Sequence, residues 1–406
     1  MGISYLKVGF GAIVVIAAVG YGAIRTGYVA QYVDSSRNVV VEHEPYSISS
    51  NAQALHNRLR VADLHNDVLL WGRNISQESS IGHSDLPRFS KGNVGVQIFT
   101  SVTKSPRGQN YEKNSSEAAD NITLLGRLQS WPSKALNKLS ERALLQAQRL
   151  YDLETKHPEQ VKVVHTHEEL QAVLDARVSG SKMIAGVLGT EGGHALDGDI
   201  KNVDRLYDGG LRMMGLQHFF DNKLGGSLHG QSKAGLTDFG REVVQLMEKK
   251  EMIVDVAHSS PAVIEDVLEM ATRPIVVSHT GLKGICDTPR NLTDVQVRAI
   301  SANGGLIGVG FWDAAACDIS PKGVADSIEY AVSIAGIDSV ALGSDFDGSV
   351  TTAFDTSEYA VLTQELLNKG FTEDQIAAVM GENLINFLLE NLPQGQSTEE
   401  NLASSN

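Results

Sequence analysis

The run Val61-Ala-Asp-Leu-His-Asn-Asp67 begins the first of eight short apolar segments that recur along the body of the chain. Most of them are rich in Val, Ile, Leu and Gly, and they lack a strict alternation of apolar and polar residues. Strands that are buried on both faces of a parallel sheet have this composition. The eight segments are 61–66, 94–102, 183–189, 211–217, 252–257, 274–278, 304–311 and 339–344.

Patterns typical of amphipathic helices separate most of these segments. A strand followed by a helix, repeated eight times, predicts a TIM-type (β/α)8 barrel over residues 51–392. An open, doubly wound α/β sheet is the alternative, but no GxGxxG pattern follows the first strand. The polar insertion 105–160 carries its own helices, and we expect it to cover the barrel mouth or to contact a partner. The clearest helical patterns are Phe239–Glu251, Pro261–Ala271, Asp294–Ala302 and Gly323–Ala335.

The N-terminus contains an apolar run, Val8–Ile24, which ends at Arg25. Residues 1–28 are therefore predicted to be an apolar helix that serves as a signal anchor or a signal peptide. The lack of a clear small-x-small cleavage site favours an uncleaved membrane anchor. Either interpretation exports the barrel from the cytoplasm, to the periplasm if the source is bacterial. Residues 29–50 are predicted to form an irregular polar stalk, and 393–406 a disordered tail.

The composition limits the classes of partner and of metal site. The 406 residues carry a formal net charge of −15, whereas nucleic-acid binding needs clustered Lys and Arg, so we expect no nucleic-acid partner. The two cysteines, Cys286 and Cys317, have no zinc-finger spacing. They are either two buried thiols or, outside the cytoplasm, a disulfide.

Potential metal ligands gather where the predicted strands end. In a barrel all carboxyl ends of the strands share one rim, which is where active sites lie. Each residue alone also has a structural explanation, as a helix cap, a turn residue or a core histidine. Such explanations do not place a His or a carboxylate at the same end of six strands, so the joint pattern predicts a metal site. The residues are His65, Asp67, Glu191, His218, His258, His279 and Asp345.

The types of ligand indicate the metal. Imidazole and carboxylate without thiolate suit zinc, with manganese, cobalt or iron as other occupants. Three histidines and two carboxylates exceed what one catalytic zinc usually binds, but they fit two ions if one carboxylate bridges them. Glu191 is the best candidate for the bridge, because its strand lies between those of the other ligands.

The ordered set of motifs resembles the membrane dipeptidase (renal dipeptidase) family of zinc metallopeptidases, within the amidohydrolase-like barrels. The resemblance covers roughly residues 50–392. It implies that His65 and Asp67 hold one zinc, that His258 and His279 hold the other, and that Glu191 bridges them. The motifs are His65-Asn-Asp67, Glu191-Gly-Gly, Gln217-His218, His258-Ser-Ser, Ser278-His279, Pro289-Arg290-Asn291 and Asp345-Phe-Asp-Gly348.

The same resemblance implies a dipeptidase in which a hydroxide shared by the two zinc ions attacks the peptide bond. His218 would stabilise the oxyanion, Asp345 would transfer the proton, and Arg290 would bind the free carboxylate of the substrate. Cys286 and Cys317 lie where family members can carry a disulfide, and members often form homodimers. The alternative function is another binuclear amidohydrolase that acts on N-acyl amino acids, lactones or β-lactams.

For several of these residues the sequence also allows a second role. Arg290 could instead pair with a neighbouring carboxylate such as Asp287 or Asp294, and His218 could act only behind the residues that touch the substrate. Asp345 could be a metal ligand, or Asp347 could do its work. Four further polar residues near the rim have no assigned role. We expect Asn66 to point away from the metals, and His194, His229 and Asp255 to lie close to the site.

Overall fold

The strands and helices were located in a computed structural model, which describes residues 27–395. The strands are β1 (Val39–Val40), β2 (Val61–Asn66), β3 (Val94–Phe99), β4 (Val161–Val163), β5 (Ile184–Thr190), β6 (Leu211–Gly215), β7 (Ile253–Asp255), β8 (Val276–Thr280), β9 (Leu306–Val309), β10 (Val340–Leu342) and β11 (Thr351–Thr352). The helices are α1 (Tyr28–Arg37), α2 (Ser50–His56), α3 (Leu86–Lys91), α4 (Asn121–Leu128), α5 (Ser133–Asn137), α6 (Leu139–Lys156), α7 (His167–Val178), α8 (Lys201–Asp208), α9 (Asp238–Lys249), α10 (Pro261–Met270), α11 (Asp294–Ala302), α12 (Asp313–Ala316), α13 (Pro321–Ala335), α14 (Ala360–Asn368), α15 (Glu373–Ala377) and α16 (Asn383–Asn391).

Eight parallel strands close into a ring, which confirms the predicted TIM-type barrel. The order around the ring is β2, β3, β5, β6, β7, β8, β9 and β10. Pairing of Val96 with Ala185 and of Leu342 with Asp63 completes the closure. Each predicted apolar segment overlaps one of these strands, and only β5 and β8 extend beyond the predicted ends, to Thr190 and Thr280. The short strand β4 was not predicted; it pairs with β5 outside the ring.

Side chains of serine, threonine and proline define where several outer helices begin. Ser260 accepts a hydrogen bond from the backbone N–H of Val263, and Ser320 accepts one from Gly323. Each of these serines precedes a proline, whose fixed φ suits the first helical position and whose missing N–H costs nothing there. These caps end the loops that leave the barrel rim, so the sequence directly determines where the chain turns back along the barrel.

The barrel strands are buried on both faces, as their apolar composition predicts. Inside the ring, Ala62, Leu64, Val96 and Ile98 pack together with side chains of the neighbouring strands. Helix α16 closes the end of the barrel opposite the rim, because its Leu384 and Leu388 belong to the same cluster. A second, larger cluster fills the layer between the strands and the outer helices. The packed interior leaves the rim as the accessible end of the barrel.

The segment predicted as an irregular stalk is partly ordered, so that prediction is wrong for residues 29–40. It forms helix α1 and strand β1, and β1 pairs in parallel with β11 next to the barrel rim. The reason is burial of polar side chains: Asp34 and Asn38 are both 2% exposed. The predicted apolar helix over 8–24 and most of the predicted tail lie outside the described residues. Within residues 27–395, none of the helices combines the length and apolar character needed to span a bilayer.

A disulfide joins Cys286 to Cys317, which decides between the two interpretations of these cysteines. It links the loop that precedes Arg290 to the residue that follows α12. The two cysteines are 31 residues apart in the sequence. The bond therefore closes a loop of that length and lowers the conformational entropy of the unfolded chain.

We expect the double variant Cys286→Ser/Cys317→Ser to lose about 4 kcal/mol of unfolding free energy, because the unfolded state regains the entropy of the open loop. Urea unfolding with and without reductant measures this loss. Reduced wild-type protein serves as the control and should match the variant. Equal stability of the oxidised wild type and the variant would contradict the expectation.

Candidate metal centre

The predicted metal ligands meet at the carboxyl ends of the barrel strands. Ring nitrogens and carboxylate oxygens form three overlapping groups, and within each group all of these atoms lie within 4.8 Å of one another. Every member is buried. The groups are His65 with Glu191 and His279, Glu191 with His218 and His258, and His65 with Asp67 and Asp345.

Glu191 lies at the centre of these groups. Its Oε1 is 3.1 Å from Nε2 of His258, 3.4 Å from Nε2 of His279 and 3.8 Å from Nε2 of His65. Its Oε2 is 3.2 Å from Nε2 of His218. Burial and the charge of Asp67 raise the pKa of Glu191 well above its ordinary value. Both carboxylate oxygens of Glu191 thus lie among imidazole nitrogens, as a shared metal ligand requires.

Ser278 and Asp255 determine which nitrogens of two histidines are free. The Ser278 hydroxyl donates to Oδ2 of Asp255 at 2.7 Å, and its oxygen lies 3.0 Å from Nδ1 of His65 and 2.9 Å from Nδ1 of His279. Since the single hydroxyl proton is used, both Nδ1 atoms must be the donors. In the neutral form of each ring, Nε2 then carries a lone pair that faces the centre of the site.

This role of Ser278 was not predicted, and Asp255 was named only as close to the site. The local signal was present, because Ser278 directly precedes His279 at the end of β8 and Asp255 ends β7. What the sequence does not display is that one serine contacts histidines from two strands. Buried polar residues next to a metal-binding histidine are therefore worth testing as its orienting partners.

The charge balance around His65 tests whether a cation fits here. Its Nε2 is buried without a hydrogen-bond partner among the described residues, and it faces Asp67 at 3.6 Å and Asp345 at 4.0 Å. Burial lowers the pKa of His65, but the surrounding carboxylates outweigh it and raise the pKa to about 10. The arrangement therefore requires a positive charge at Nε2, which either a proton or a metal ion supplies.

The spacing of the other histidines suits zinc. Nε2 of His258 and Nε2 of His279 are 3.0 Å apart. Two nitrogens bound to one tetrahedral zinc, with bonds of about 2.05 Å, are separated by about 3.3 Å. Burial holds the pKa of both rings well below the ordinary value, so they stay neutral and keep the lone pairs that a metal needs. The side chains present thus fit the predicted zinc.

Asp67 and Asp345 complete the group around His65. The Thr100 hydroxyl donates to Oδ1 of Asp67 at 2.5 Å, which leaves Oδ2 on the side of His65. Asp345 lies in the loop after β10 with a φ of 60°, a left-handed conformation that turns its carboxylate toward the other ligands. Burial and the charge of Asp67 raise the pKa of Asp345 to about 8, against the opposing effect of His65.

Arg290 is fully buried beside this cluster, and within the described range no carboxylate lies within 4 Å of it to form an ion pair. Its Nη2 donates to the carbonyl oxygen of His279 at 2.7 Å, while its Nε has no hydrogen-bond partner there. The guanidinium carbon lies 5.3 Å from the ring centroid of Trp312. Burial lowers the pKa of Arg290, yet guanidinium stays charged at any physiological pH. The alternative pairing with Asp287 or Asp294 is therefore not observed.

His218 contacts two acceptors. Its Nδ1 lies 3.2 Å from the carbonyl oxygen of Lys104, and its Nε2 lies 3.2 Å from Oε2 of Glu191. Burial lowers its pKa to about 4, so the ring carries one proton, and the contact with Lys104 places that proton on Nδ1. Nε2 then presents a lone pair toward the metal cluster.

Apolar and aromatic side chains surround the space in front of the ligands. Tyr111, from the insertion 105–160, accepts a hydrogen bond from Nε1 of Trp312 at 3.0 Å, and Val102 and Ile122 line the same pocket. The insertion thus covers part of the barrel mouth, one of its two predicted positions. Tyr111 was not identified from the sequence, because it lies in an irregular stretch without a pattern that links it to the rim.

The remaining residues near the rim do not join the cluster. Asn66 donates to Ser84 and points away from the ligands, as expected. His194 lies with its ring centroid 6.3 Å from that of His218, and His229 contacts the carbonyl oxygen of Tyr111. Asp347 forms an ion pair with Arg73. Asp345 is therefore the carboxylate of this loop that faces the metal ligands.

Comparisons with characterised proteins agree with this architecture. Dipeptidase 3 from Homo sapiens is 28% identical over 256 residues, which covers 56% of this chain and 50% of the human protein. Dipeptidase 3 from Mus musculus is 27% identical over 247 residues, which covers 55% of this chain and 48% of the mouse protein. The chain thus spans about half the length of these curated relatives.

A solved structure supports the fold. A metallopeptidase from Rhodobacter sphaeroides, liganded with a phosphinate mimic of the dipeptide L-Ala-D-Ala, superimposes with a TM-score of 0.66. The alignment covers 82% of this chain and 99% of that one at 22% identity. The family described as "Membrane dipeptidase (Peptidase family M19)" matches residues 49–399. With the barrel and the ligand cluster inside this range, the chain belongs to the membrane dipeptidase family.

Proposed function

We propose that the protein is a zinc-dependent dipeptidase that cleaves the single peptide bond of dipeptides with a free C-terminal carboxylate. The observation that carries this proposal is the position of Arg290. A buried guanidinium without an ion pair in the described range lies in the same pocket as the metal ligands. The cost of burying this charge outweighs the favourable effect of the nearby carboxylates Asp345 and Glu191, so the pocket suits a substrate that brings a further negative charge.

The metal ligands of this proposal are His65, Asp67, His258 and His279, with Glu191 as the carboxylate shared by two zinc ions. Zinc, when bound, polarises the scissile carbonyl and lowers the pKa of water so that hydroxide is available near neutral pH. Ser278 holds His65 and His279 in the tautomer that binds a metal.

Asp345 is the proposed proton carrier. Its carboxylate lies beside the ligand cluster, where it can accept the proton of the attacking water and pass it to the leaving amine. A pKa raised by burial suits both halves of this transfer. His218 is proposed to contact the oxyanion. Because its Nδ1 proton faces Lys104, this role needs a second proton on Nε2, which the developing negative charge favours.

The position of Arg290 next to the proposed metal ligands supports a preference for dipeptides. Arg290 is positioned by the carbonyl oxygen of His279, a metal ligand, so the carboxylate-binding group lies close to the site of bond cleavage. A free carboxylate one residue beyond the scissile bond fits this spacing. A longer peptide would place an amide next to Arg290 and leave the guanidinium unpaired.

We expect the purified protein to bind about two zinc ions per chain and to hydrolyse dipeptides with a free carboxylate, such as L-Ala-D-Ala and L-Ala-L-Ala. The reason is that Arg290 needs the carboxylate for binding. Matched C-terminal amides should react at least about tenfold more slowly in kcat/KM, and chelation should abolish both reactions. Metal analysis and amine release measure these outcomes.

The same panel separates the alternative functions. An N-acyl amino acid, a lactone and a β-lactam test the other binuclear amidohydrolases, whose metal ligands would look the same. Faster hydrolysis of one of these compounds than of any dipeptide would reject the dipeptidase. Full activity of the metal-free protein would reject the metal centre as well.

Attachment to a membrane through residues 8–24, export from the cytoplasm and formation of a homodimer belong to the same proposal. The apolar composition of residues 8–24 supports the first two. The Cys286–Cys317 disulfide agrees with an oxidising compartment.

A further inference from the structure

The loop that carries Asp345 has an unusual backbone. Asp345, Asp347 and Ser349 have φ values of 60°, 64° and 65°, in the left-handed region that residues with a side chain rarely adopt. Asp345, Gly348 and Ser349 line the substrate pocket. Three such residues in alternation persist only where surrounding contacts hold them, so the loop depends on its neighbours for its shape.

The neighbour that holds the loop is the segment α1–β1, which lies far away in the sequence. Arg73 joins the two, because its Nε is 3.0 Å from Oδ2 of Asp34 and its Nη2 is 2.5 Å from Oδ1 of Asp347. The side chains of Asp34, Arg73 and Asp347 are 3%, 5% and 0% exposed. Ion pairs this deeply buried are weakly screened by solvent and constrain the position of both carboxylates.

A second connection runs through Asn38. Its Nδ2 donates to Oδ1 of Asp34 at 2.7 Å, and its Oδ1 accepts a hydrogen bond from the backbone N–H of Ser349 at 2.9 Å. The backbone N–H of Val39 donates to the carbonyl oxygen of Val350 at 3.1 Å. The segment therefore contacts the loop at three successive points, of which Asp34 organises two.

A third connection passes through His83. Its Nδ1 accepts from the backbone N–H of Asp347 at 3.0 Å, so the proton of the neutral ring is on Nε2, which lies 3.2 Å from the carbonyl oxygen of Val39. Oδ1 of Asp347 in turn accepts from the backbone N–H of His83 at 2.9 Å. The backbone N–H and Oδ1 of Asp347 are thus both used in positioning contacts.

We propose that Asp34 and Asn38 are positioning residues for Asp345. The segment α1–β1, which precedes the barrel, would then contribute to the geometry of the active site. This inference rests on the proposed function, in which Asp345 transfers the proton. Geometry of the proton carrier affects turnover, since a small displacement of a reacting group is costly in rate. Substrate binding depends on Arg290, which comes from a different loop and contacts His279 and Trp312.

The variant Asp34→Asn tests this inference, because it keeps the shape of the side chain and removes its charge. We expect kcat for L-Ala-L-Ala to fall about tenfold, with KM and zinc content unchanged. Asp152→Asn is the matched control, since Asp152 lines the cavity of about 560 Å³ beside Asp34 but bonds Gln148 instead of Arg73. It should keep the wild-type kcat, and Asp34→Glu should recover part of the loss.

Hydrogen exchange of the zinc-loaded proteins gives a readout that is independent of activity. Loss of the Asp34 charge should speed exchange of the backbone amides of Asp347 and Ser349, and Asn38→Ala should speed that of Ser349. An unchanged kcat together with unchanged exchange in both variants overturns the inference. A fall of kcat and stability in the Asp152→Asn control that equals the fall in Asp34→Asn also overturns it. Absence of dipeptide hydrolysis by the wild type refutes the proposed function instead, and the exchange experiment still decides whether the loop is held.

Discussion

Glu191→Gln is expected to lose both bound zinc and dipeptide hydrolysis while it keeps the fold. Both oxygens of Glu191 lie among imidazole nitrogens, at 3.1 Å from His258 and 3.2 Å from His218. Glutamine has the same shape but a neutral amide, and its nitrogen is a hydrogen-bond donor that cannot bind a cation. The variant therefore keeps at most one ligand oxygen and loses the proposed bridge between the two zinc ions.

The size of the effect follows from the charge that the site must neutralise. Without a bridging carboxylate, two divalent ions would lie close together with Asp67 as the one remaining carboxylate among the proposed ligands, so we expect zinc to fall from about two to below one per chain. A loss of about 4 kcal/mol in transition-state stabilisation corresponds to about a 1000-fold fall in kcat/KM. Metal analysis and steady-state kinetics measure the two quantities on one sample.

Glu154→Gln is the matched control, because Glu154 lies on α6 and pairs with Lys162 at 2.7 Å. It should keep wild-type zinc content and rate. Circular dichroism checks that Glu191→Gln is folded. If this variant retains about two zinc ions and normal turnover, Glu191 is not the bridge.

The barrel could be predicted from the sequence because its strands are buried on both faces and so carry a local signal. The pattern of Val61–Asn66 recurs in each barrel strand, and burial is a property of every residue in it. The segment 28–40 could not be predicted in the same way. It is held by Asp34 and Asn38, whose partners Arg73 and Ser349 are distant in the sequence, and polar residues of this kind also occur in irregular loops.

The same distinction applies to the candidate site. The meeting of the candidate metal ligands was predictable because a barrel brings strand ends to one rim, so position in the sequence implies position in space. The contacts that tune the ligands were not. Ser278 serves two histidines at once, and Tyr111 reaches the pocket from an irregular insertion. Both depend on side-chain packing that no periodic pattern records.

Arg290 is the second residue whose loss should have a large effect, and here the effect should be on substrate binding. Its guanidinium is buried, its Nε has no hydrogen-bond partner in the described range, and Trp312 restricts where it can move. A preorganised guanidinium can form two parallel hydrogen bonds with a carboxylate, each worth about 1.5–3 kcal/mol. Arg290→Ala should therefore raise KM for L-Ala-L-Ala by about 100-fold.

Arg290→Lys sharpens the test because it keeps the positive charge and removes the planar guanidinium that can donate two parallel hydrogen bonds. A single ammonium cannot hold both the carbonyl oxygen of His279 and a substrate carboxylate in two-bonded geometry, so we expect KM to rise about tenfold. Arg241→Ala, which removes a surface ion pair with Asp266, is the control and should leave KM and the substrate preference unchanged.

The decisive measurement is the preference of each variant for L-Ala-L-Ala over its C-terminal amide. This preference should disappear in Arg290→Ala at unchanged zinc content. A preserved preference would mean that another group recognises the carboxylate, and loss of zinc would mean that Arg290 acts by holding His279.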